Sequence, residues 1–215
     1  MSSYYDELAE YTGLDVNLVN QLCQSARFHL AKLWHTKKSV EDFYSSTDLY
    51  LYDLTMYAVH LQQRGTYRWF RQMLRDKNIK TMVDYGGGIG EYSVVASQEG
   101  MDCFHYDLPG PLRDYALWRF DMHKSPVNVI ADEKLLDTVA GEVDLYVCMD
   151  VFEHLEDPQP VIAEIAKKCR YIMCNPEEIQ YNWSYPMHIS KFTLEPHFTK
   201  IDKYLYKSNR GQETA

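Results

Sequence analysis

The chain has 215 residues, of which 46% are hydrophobic and 25% charged, and its formal net charge is −9. This composition is that of an ordinary globular protein and argues against disordered, fibrous and disulfide-scaffold classes. The acidic balance repels phosphate backbones and anionic membranes, so we expect neither a nucleic acid nor a membrane as partner. Since no apolar run approaches the about 18 residues of a membrane span, we expect a cytoplasmic protein.

The five cysteines are scattered along the chain and form no C-x-x-C pair. An odd, scattered count does not suggest a disulfide framework or a structural zinc site. We therefore expect small buried side chains in a reducing compartment. The chain also contains 18 tyrosines, an excess that composition alone does not explain.

Residues 1–78 carry apolar side chains at three- and four-residue spacing, which predicts helices. The predicted helices cover residues 14–30, a segment after Ser39, and residues 49–61 and 67–74. Asp15 is a candidate N-cap for the first of them. We interpret residues 1–78 as a helical cap, or lid, joined directly to the remainder of the chain.

Residues 8–16 resemble the start of a helix-turn-helix, which leaves DNA binding as an alternative for the cap. However, residues 1–40 hold four acidic and four basic side chains, so their net charge is zero. A DNA-binding segment should carry a basic stripe, and these residues do not.

From residue 79 onward, short apolar runs alternate with helix-length segments, which is typical of βαβ units. The predicted strands cover residues 81–85, 102–108, 127–131, 143–149 and 170–175, and residues 197–207 form a further edge strand. The predicted helices cover residues 90–100, 111–124, 133–140 and 158–168. Residues 79–215 are therefore predicted to form an α/β fold. It is a doubly wound, Rossmann-like, mostly parallel sheet of six or seven strands, with a short or missing last helix.

A glycine-rich turn follows the first predicted strand, in the sequence MVDYGGGIGEYS of residues 82–93. Glycines permit positive φ and close approach of a ligand, and the helix that follows offers free N–H groups. The dinucleotide fingerprint G-x-G-x-x-G, counted from Gly86, needs Gly or Ala where this chain has Glu91. A nicotinamide oxidoreductase is therefore disfavoured.

Four features follow each other in order. They are the pattern Asp84-x-Gly86-x-Gly88-x-Gly90, the pair Asp107-Leu108 at the end of the second strand, Asp132 at the end of the third strand, and residues 144–158, DLYVCMDVFEHLEDP. With this ordered set, residues 67–206 resemble the class I S-adenosylmethionine-dependent methyltransferases. The resemblance implies S-adenosylmethionine as cofactor, S-adenosylhomocysteine as product, and no metal. The implied donor-site residues are Asp84, Gly86, Gly88, Gly90, Asp107, Leu108, Asp132, Met149 and Asp150.

Within that set, the resemblance implies that Asp107 binds the ribose hydroxyls and that Leu108 packs on the adenine. For Asp132 two interpretations stay open: a contact with the adenine amino group, or an N-cap for the predicted helix over residues 133–140. Asn175, followed by Pro176, lacks the second proline and the aromatic residue of enzymes that methylate base amino groups. We therefore assign it no role in the site.

Histidine is the natural general base near neutral pH, and two histidines are candidate catalytic residues. His154 follows the fourth strand, although it could instead orient a helix start through a backbone hydrogen bond. His188 lies after the fifth strand, where the resemblance implies a histidine that faces the transferred methyl group. Tyrosines of the cap and of the loop before His188 are candidates for the lid and acceptor pocket, namely Tyr44, Tyr50 and Tyr185.

The sequence therefore predicts an S-adenosylmethionine-dependent methyltransferase. Its acceptor is expected to be a small molecule or short peptide-like molecule, held under a tyrosine-rich helical lid. The alternative is a catalytically inactive module that binds the donor and serves as a partner or regulatory subunit. Oxygen, nitrogen and carbon acceptors, and the oligomeric state, stay open.

Overall fold

The computed structural model describes residues 3–37, 39–132, 142–176 and 185–210. Five helices precede the sheet: α1 (Tyr4–Thr12), α2 (Val16–Trp34), α3 (Val40–Ser46), α4 (Leu49–Gln63) and α5 (Thr66–Asp76). The predicted N-cap is confirmed, because the Asp15 side chain accepts the N–H groups of Asn17 and Leu18. Among the described residues, no helix is both long and apolar enough to cross a membrane.

Helix α1 was not predicted, and its ends have local causes. Ser3 and Asp6 form a capping box at its start, in which each side chain accepts the other residue's backbone N–H. Gly13, with φ of 70°, ends the helix in the left-handed conformation that glycine adopts without strain. The helix buries Glu7 and Leu8, so its inner face carries a charged residue. That charge breaks the apolar pattern on which the prediction relied.

The sheet has seven strands: β1 (Thr81–Tyr85), β2 (Asp102–Tyr106), β3 (Val127–Ile130), β4 (Val143–Cys148), β5 (Cys169–Cys174), β6 (Phe198–Lys200) and β7 (Leu205–Ser208). Their order is β3-β2-β1-β4-β5-β7-β6. Strands β1 to β5 pair in parallel, whereas β7 pairs antiparallel with β5 and β6. The predicted doubly wound, Rossmann-like sheet is confirmed.

The prediction of a single edge strand over residues 197–207 is wrong. The segment forms a hairpin in which β6 is the edge strand and β7 lies against β5. A polar turn separates the two strands. It is closed by the N–H groups of Ile201 and Asp202, which both donate to the carbonyl of Leu205. The turn includes two consecutive polar residues, Asp202 and Lys203, and this break in the alternation was not used as a turn signal.

Three further helices connect or flank the strands: α6 (Glu91–Gln98), α7 (Pro111–Met122) and α8 (Pro158–Lys168). The predicted helix over residues 133–140 lies outside the described residues. Four predicted strands, over residues 102–108, 127–131, 143–149 and 170–175, end one or two residues earlier than expected. The residues beyond these ends belong to the loops at the carboxyl edge of the sheet, where an α/β fold places its ligands.

A buried ionic network joins α1 to the sheet-flanking helices. The Arg119 guanidinium on α7 is 1% exposed and donates to Glu7 of α1 at 2.9 Å and to Glu91 of α6 at 2.7 Å. It also donates to the carbonyl of Ile89 in the glycine-rich loop at 2.8 Å. The hydroxyl of Tyr4 donates to the same Glu91 carboxylate. The N-terminal helices are thereby fixed against the loop, while the division into domains 1–78 and 79–215 stays a prediction.

Candidate functional site

A cavity of about 250 Å³ opens at the carboxyl ends of β1, β2 and β4. Strand β1 is flanked by β2 on one side and by β4 on the other, so the chain reverses its direction of travel across the sheet beside β1. Such a switch point leaves a crevice between the departing loops and is the usual ligand site of open α/β sheets. The glycine-rich loop forms the floor of the cavity, and side chains of α3, α4 and α5 form its roof.

The glycines of the loop allow the backbone to approach its neighbours closely. Gly86 has φ of 66°, and a Cβ there would lie 2.8 Å from a methyl group of Val151. Gly88 has φ of 55°, and a Cβ there would lie 2.8 Å from a methyl group of Leu54 on α4. Any other residue at either position would combine backbone strain with a steric clash. The predicted glycines Gly86 and Gly88 both line the cavity.

Asp84 and Gly90 support the loop from below. The Asp84 carboxylate accepts the backbone N–H of Ser93 at 3.1 Å and its hydroxyl at 2.7 Å, which ties β1 to the first turn of α6. Asp84 is 2% exposed and reaches the edge of the cavity. Gly90 does not line the cavity, because its α-carbon faces the ring of Phe120 on α7. Its structural role is to let α6 begin close to α7.

Asp107 lies directly beside the glycine-rich loop. One carboxylate oxygen accepts the N–H of Gly88 at 2.6 Å, and the other accepts the N–H of Leu108 at 2.7 Å. Burial raises the pKa of the Asp107 carboxyl. Each carboxylate oxygen has a further lone pair available for a ligand hydroxyl. Asp107 and Leu108 both line the cavity, as the predicted ribose and adenine contacts require.

The loop after β4 contributes Met149, Asp150 and Val151 to the cavity wall. Asp150 has φ of 55°, a left-handed conformation that aspartate tolerates better than most residues. Asn175, to which we assigned no role, is 5% exposed at the end of β5, and its amide nitrogen lies 3.4 Å from an Asp150 carboxylate oxygen. Asp132, in contrast, is exposed and does not line the cavity. The helix that it would cap lies outside the described residues.

Of the two predicted catalytic histidines, His154 lines the cavity and His188 lies behind it. The Nδ1 atom of His154 lies 2.7 Å from the Tyr44 hydroxyl and 3.0 Å from the carbonyl oxygen of Met187. Burial, with a smaller effect of His188, lowers the pKa of His154 to about 3. His154 is therefore a neutral imidazole at physiological pH and a weak general base. Its ring is held by the Met187 carbonyl of a distant loop and not at a helix start, where the sequence alternative placed it.

His188 is stacked on Tyr185 with ring centroids 5.1 Å apart and an interplanar angle of 8°. Its ring also meets the His154 ring edge-on, with centroids 4.8 Å apart. Burial lowers the pKa of His188 as well, with a smaller contribution from the Arg27 guanidinium, which lies over Tyr185. Neither His188 nor Tyr185 lines the cavity. The two residues lie behind His154 rather than around a ligand.

Tyrosines form much of the cavity wall. Those that line it are Tyr44, Tyr50, Tyr57, Tyr67, Tyr85, Tyr92 and Tyr106. The cap tyrosines Tyr44, Tyr50 and Tyr57 were candidates, and Tyr50, Tyr57 and Leu61 recur on α4 at the spacing of one helix face. Sequence reasoning missed Tyr67, Tyr85, Tyr92 and Tyr106. Seven of the 18 tyrosines line this cavity, which accounts for part of the tyrosine excess.

The charge of the cavity wall is one-sided. Four acidic residues line it, namely Asp84, Glu91, Asp107 and Asp150. Among the described lining residues there is no lysine or arginine, and the Arg119 that neutralises Glu91 lies outside the wall. Such a wall disfavours a pyrophosphate-bearing ligand and suits a ligand with net positive charge. In the sequence, Glu91 served only as evidence against a dinucleotide site. In the structure it lines the cavity.

A family model of methyltransferase domains matches residues 83–171. The match runs from β1 into β5 and includes the glycine-rich loop, Asp107 and His154. This segment is less than half of the chain, and over it the chain is similar to methyltransferase domains.

Solved structures of methyltransferases share the fold. A proposed caffeoyl-CoA O-methyltransferase from Staphylococcus aureus is 13% identical, with a TM-score of 0.50 over 85% of this chain and 99% of its own. An S-adenosylmethionine-dependent methyltransferase from Clostridium acetobutylicum is 11% identical, with a TM-score of 0.44 over 50% of this chain and 48% of its own. The N-terminal domain of EvdMO1, solved with S-adenosylhomocysteine bound, is 15% identical, with a TM-score of 0.45 over 51% of this chain and 47% of its own.

The chain spans less than half the length of several of the solved proteins that it matches. No curated protein matches it. At these identities the comparisons establish the fold, so the donor contacts and the acceptor have to be argued from the cavity itself.

Proposed function

We propose that this protein binds S-adenosylmethionine in the cavity above the glycine-rich loop and transfers its methyl group to a small-molecule or short peptide-like acceptor. The observation that carries the proposal is the arrangement around Asp107. Its carboxylate lies against Gly88, and the wall beside it is acidic and lacks basic residues within the described lining. The donor has a sulfonium and an ammonium group but only one carboxylate, so its net positive charge suits that wall.

When bound, S-adenosylmethionine supplies a methyl group on a sulfonium: the acceptor lone pair bonds to the methyl carbon, and the electron pair of the broken C–S bond stays on sulfur. An acceptor hydroxyl or amine also releases a proton in this reaction. Asp107 has the position and the free lone pairs to accept both ribose hydroxyls. Leu108 offers apolar surface for the adenine, and Gly86 and Gly88 let the backbone approach the donor.

The roof formed by Tyr44, Tyr50 and Tyr57 encloses the cavity. Aromatic faces attract a sulfonium or ammonium group and pack well against a flat acceptor, so these tyrosines suit the methyl-transfer end. Since the pKa of His154 is lowered to about 3, we assign this residue an orienting role rather than proton removal. Enclosure and alignment by the tyrosine roof then contribute most to catalysis.

Calorimetry with S-adenosylhomocysteine tests the proposal. We expect one molecule to bind per chain, and NADH, which carries a pyrophosphate, not to compete. Absence of binding at high micromolar ligand would falsify the donor assignment. Release of S-adenosylhomocysteine with pools of hydroxyl- and amine-bearing small molecules then tests transfer. Binding without turnover on any pool would instead favour the inactive module.

A further inference from the structure

Three potential metal ligands lie close together at the cavity wall, namely Glu153, His154 and His188. Of these, His154 lines the cavity. Glu153 and His154 lie in a 3₁₀ turn (Phe152–His154) after β4, and His188 lies in the loop that precedes β6. One ligand atom from each residue lies within 4.8 Å of the others. At metal–ligand distances of about 2.1 Å, two ligands of a tetrahedral ion lie about 3.4 Å apart. The side chains therefore need to close by up to about 1.4 Å.

Two polar atoms of this cluster are buried without a partner. The Oε1 atom of Glu153 and the Nδ1 atom of His188 have no hydrogen-bond partner among the described residues. Glu153 is 1% exposed. A buried carboxylate oxygen without a partner is costly in free energy, so its retention calls for an explanation. A bound cation would satisfy both atoms together.

Hydrogen bonds from neighbouring groups hold His154 and the loop of His188 in place, as hydrogen bonds to metal ligands do in known metal sites. The carbonyl oxygen of Met187 can only accept, so the Nδ1 atom of His154 at 3.0 Å carries the proton. The Nε2 atom of His154 then keeps its lone pair for a ligand bond. The carbonyl of Glu153 accepts the N–H groups of Ile189 and Ser190 at 2.8 and 3.1 Å. These two bonds hold the loop of His188 against the 3₁₀ turn.

We propose that Glu153, His154 and His188 form a binding site for one divalent transition-metal ion. Two imidazoles and one carboxylate are donors that zinc, manganese and iron accept, whereas magnesium and calcium prefer oxygen ligands alone. Asp150, three residues before Glu153, adds a further acidic side chain nearby, and Arg27 adds a basic one.

The role of the ion rests on the proposed methyl transfer: in that reaction it would bind the acceptor. Three protein ligands leave at least one coordination position open. His154 lines the cavity, so an ion on its imidazole lies at the cavity wall. An oxygen atom of the acceptor can occupy the open position, where the ion would orient it and lower the pKa of a hydroxyl. The site therefore favours a hydroxyl-bearing acceptor.

Calorimetric titration of the untagged, EDTA-treated full chain with Zn²⁺ tests the site. We expect one ion per chain and, with Co²⁺ as spectroscopic probe, visible absorption bands typical of mixed nitrogen and oxygen ligands. Glu153→Gln and His188→Gln should each weaken Zn²⁺ binding by at least about tenfold, the lower end of what the loss of even an outer-shell contact costs. His60→Gln, which changes an exposed histidine of α4, should bind as the wild type does.

The proposal is overturned if the wild type binds no Zn²⁺, if the Co²⁺ spectrum is that of the hydrated ion, or if folded His188→Gln binds Zn²⁺ as tightly as the wild type does. The Co²⁺ spectrum of the wild type keeps the test decisive even if Glu153→Gln fails to fold. S-adenosylhomocysteine binding is measured in parallel with EDTA present. Product binding without Zn²⁺ binding rejects the metal site alone, whereas Zn²⁺ binding without product binding rejects the donor site alone.

Discussion

The hydroxyl of Tyr44 lies 2.7 Å from the Nδ1 atom of His154, so α3 of the N-terminal helices contacts the turn that follows β4. The two residues are 110 positions apart in the chain. Tyr44 also lies 3.3 Å, hydroxyl to hydroxyl, from Tyr50 on α4. This short polar chain joins the roof of the cavity to the carboxyl edge of the sheet.

Tyr44→Phe removes that contact while keeping the ring. We expect it to lower the free energy of unfolding by about 1 kcal/mol, the usual net value of one hydrogen bond. Urea unfolding measures the change, with Tyr11→Phe as matched control because the Tyr11 hydroxyl makes no hydrogen bond to the described residues. Equal effects of the two substitutions would show that the contact with His154 does not stabilise the fold.

Asp107→Asn should weaken binding of S-adenosylhomocysteine by more than about 1 kcal/mol, or about fivefold in Kd, because hydrogen bonds to a charged acceptor are the stronger ones. Calorimetry gives the value directly. Asp102→Asn is the control, since Asp102 is exposed at the opposite end of the same strand β2. If Asp107→Asn binds the product as tightly as the wild type does, the assignment of Asp107 to the ribose is wrong.

Gly86→Ala and Gly100→Ala form a matched pair. Both glycines have positive φ, 66° and 79°, but only Gly86 faces Val151, whereas nothing lies within 4 Å of a Cβ at Gly100. Backbone strain is therefore common to both variants, and the steric clash belongs to Gly86→Ala alone. We expect Gly86→Ala to lose about 1–3 kcal/mol more stability in urea unfolding, the usual range for overpacking. Equal losses would mean that Val151 moves aside without cost.

The five cysteines should be unreactive in the native protein. All five are buried, and burial raises the pKa of the Cys23 and Cys103 thiols to about 12. Because the thiolate is the reactive form, these thiols stay neutral at pH 8, and their thiolate fraction grows only as the pH rises toward 12. A colorimetric thiol reagent at pH 8 should detect five thiols after denaturation and almost none before it. Rapid reaction of the native protein would contradict this.

Local patterns predicted the elements whose causes are local. The bounds of β1 and α8 match the predicted ranges 81–85 and 158–168 because apolar runs and a proline at the helix start mark them clearly. The order of glycines and acids predicted a site at the carboxyl edge of the sheet, which is where the cavity lies. The hairpin of β6 and β7 was predicted as one strand because the polar pair Asp202-Lys203 was not taken as a turn signal.

Features that depend on distant partners could not be predicted. Glu153 belongs to the same short motif as His154, yet its unpaired oxygen becomes meaningful only beside His188, which a later loop brings to it. Glu91 excluded a dinucleotide site by its position, but its bond to Arg119 depends on the packing of α7. Single-sequence patterns carry no information on such pairings, since both partners are polar and neither breaks a period.

The buried bond between Glu7 and Arg119 has a consequence for the order of folding. The two residues are 112 positions apart, so α1, although synthesised first, cannot acquire its partner until α7 has been made. Contacts of such long range close late because the loop entropy is spent before the contact forms. We therefore expect α1 to dock only after α6 and α7, which carry Glu91 and Arg119, have formed.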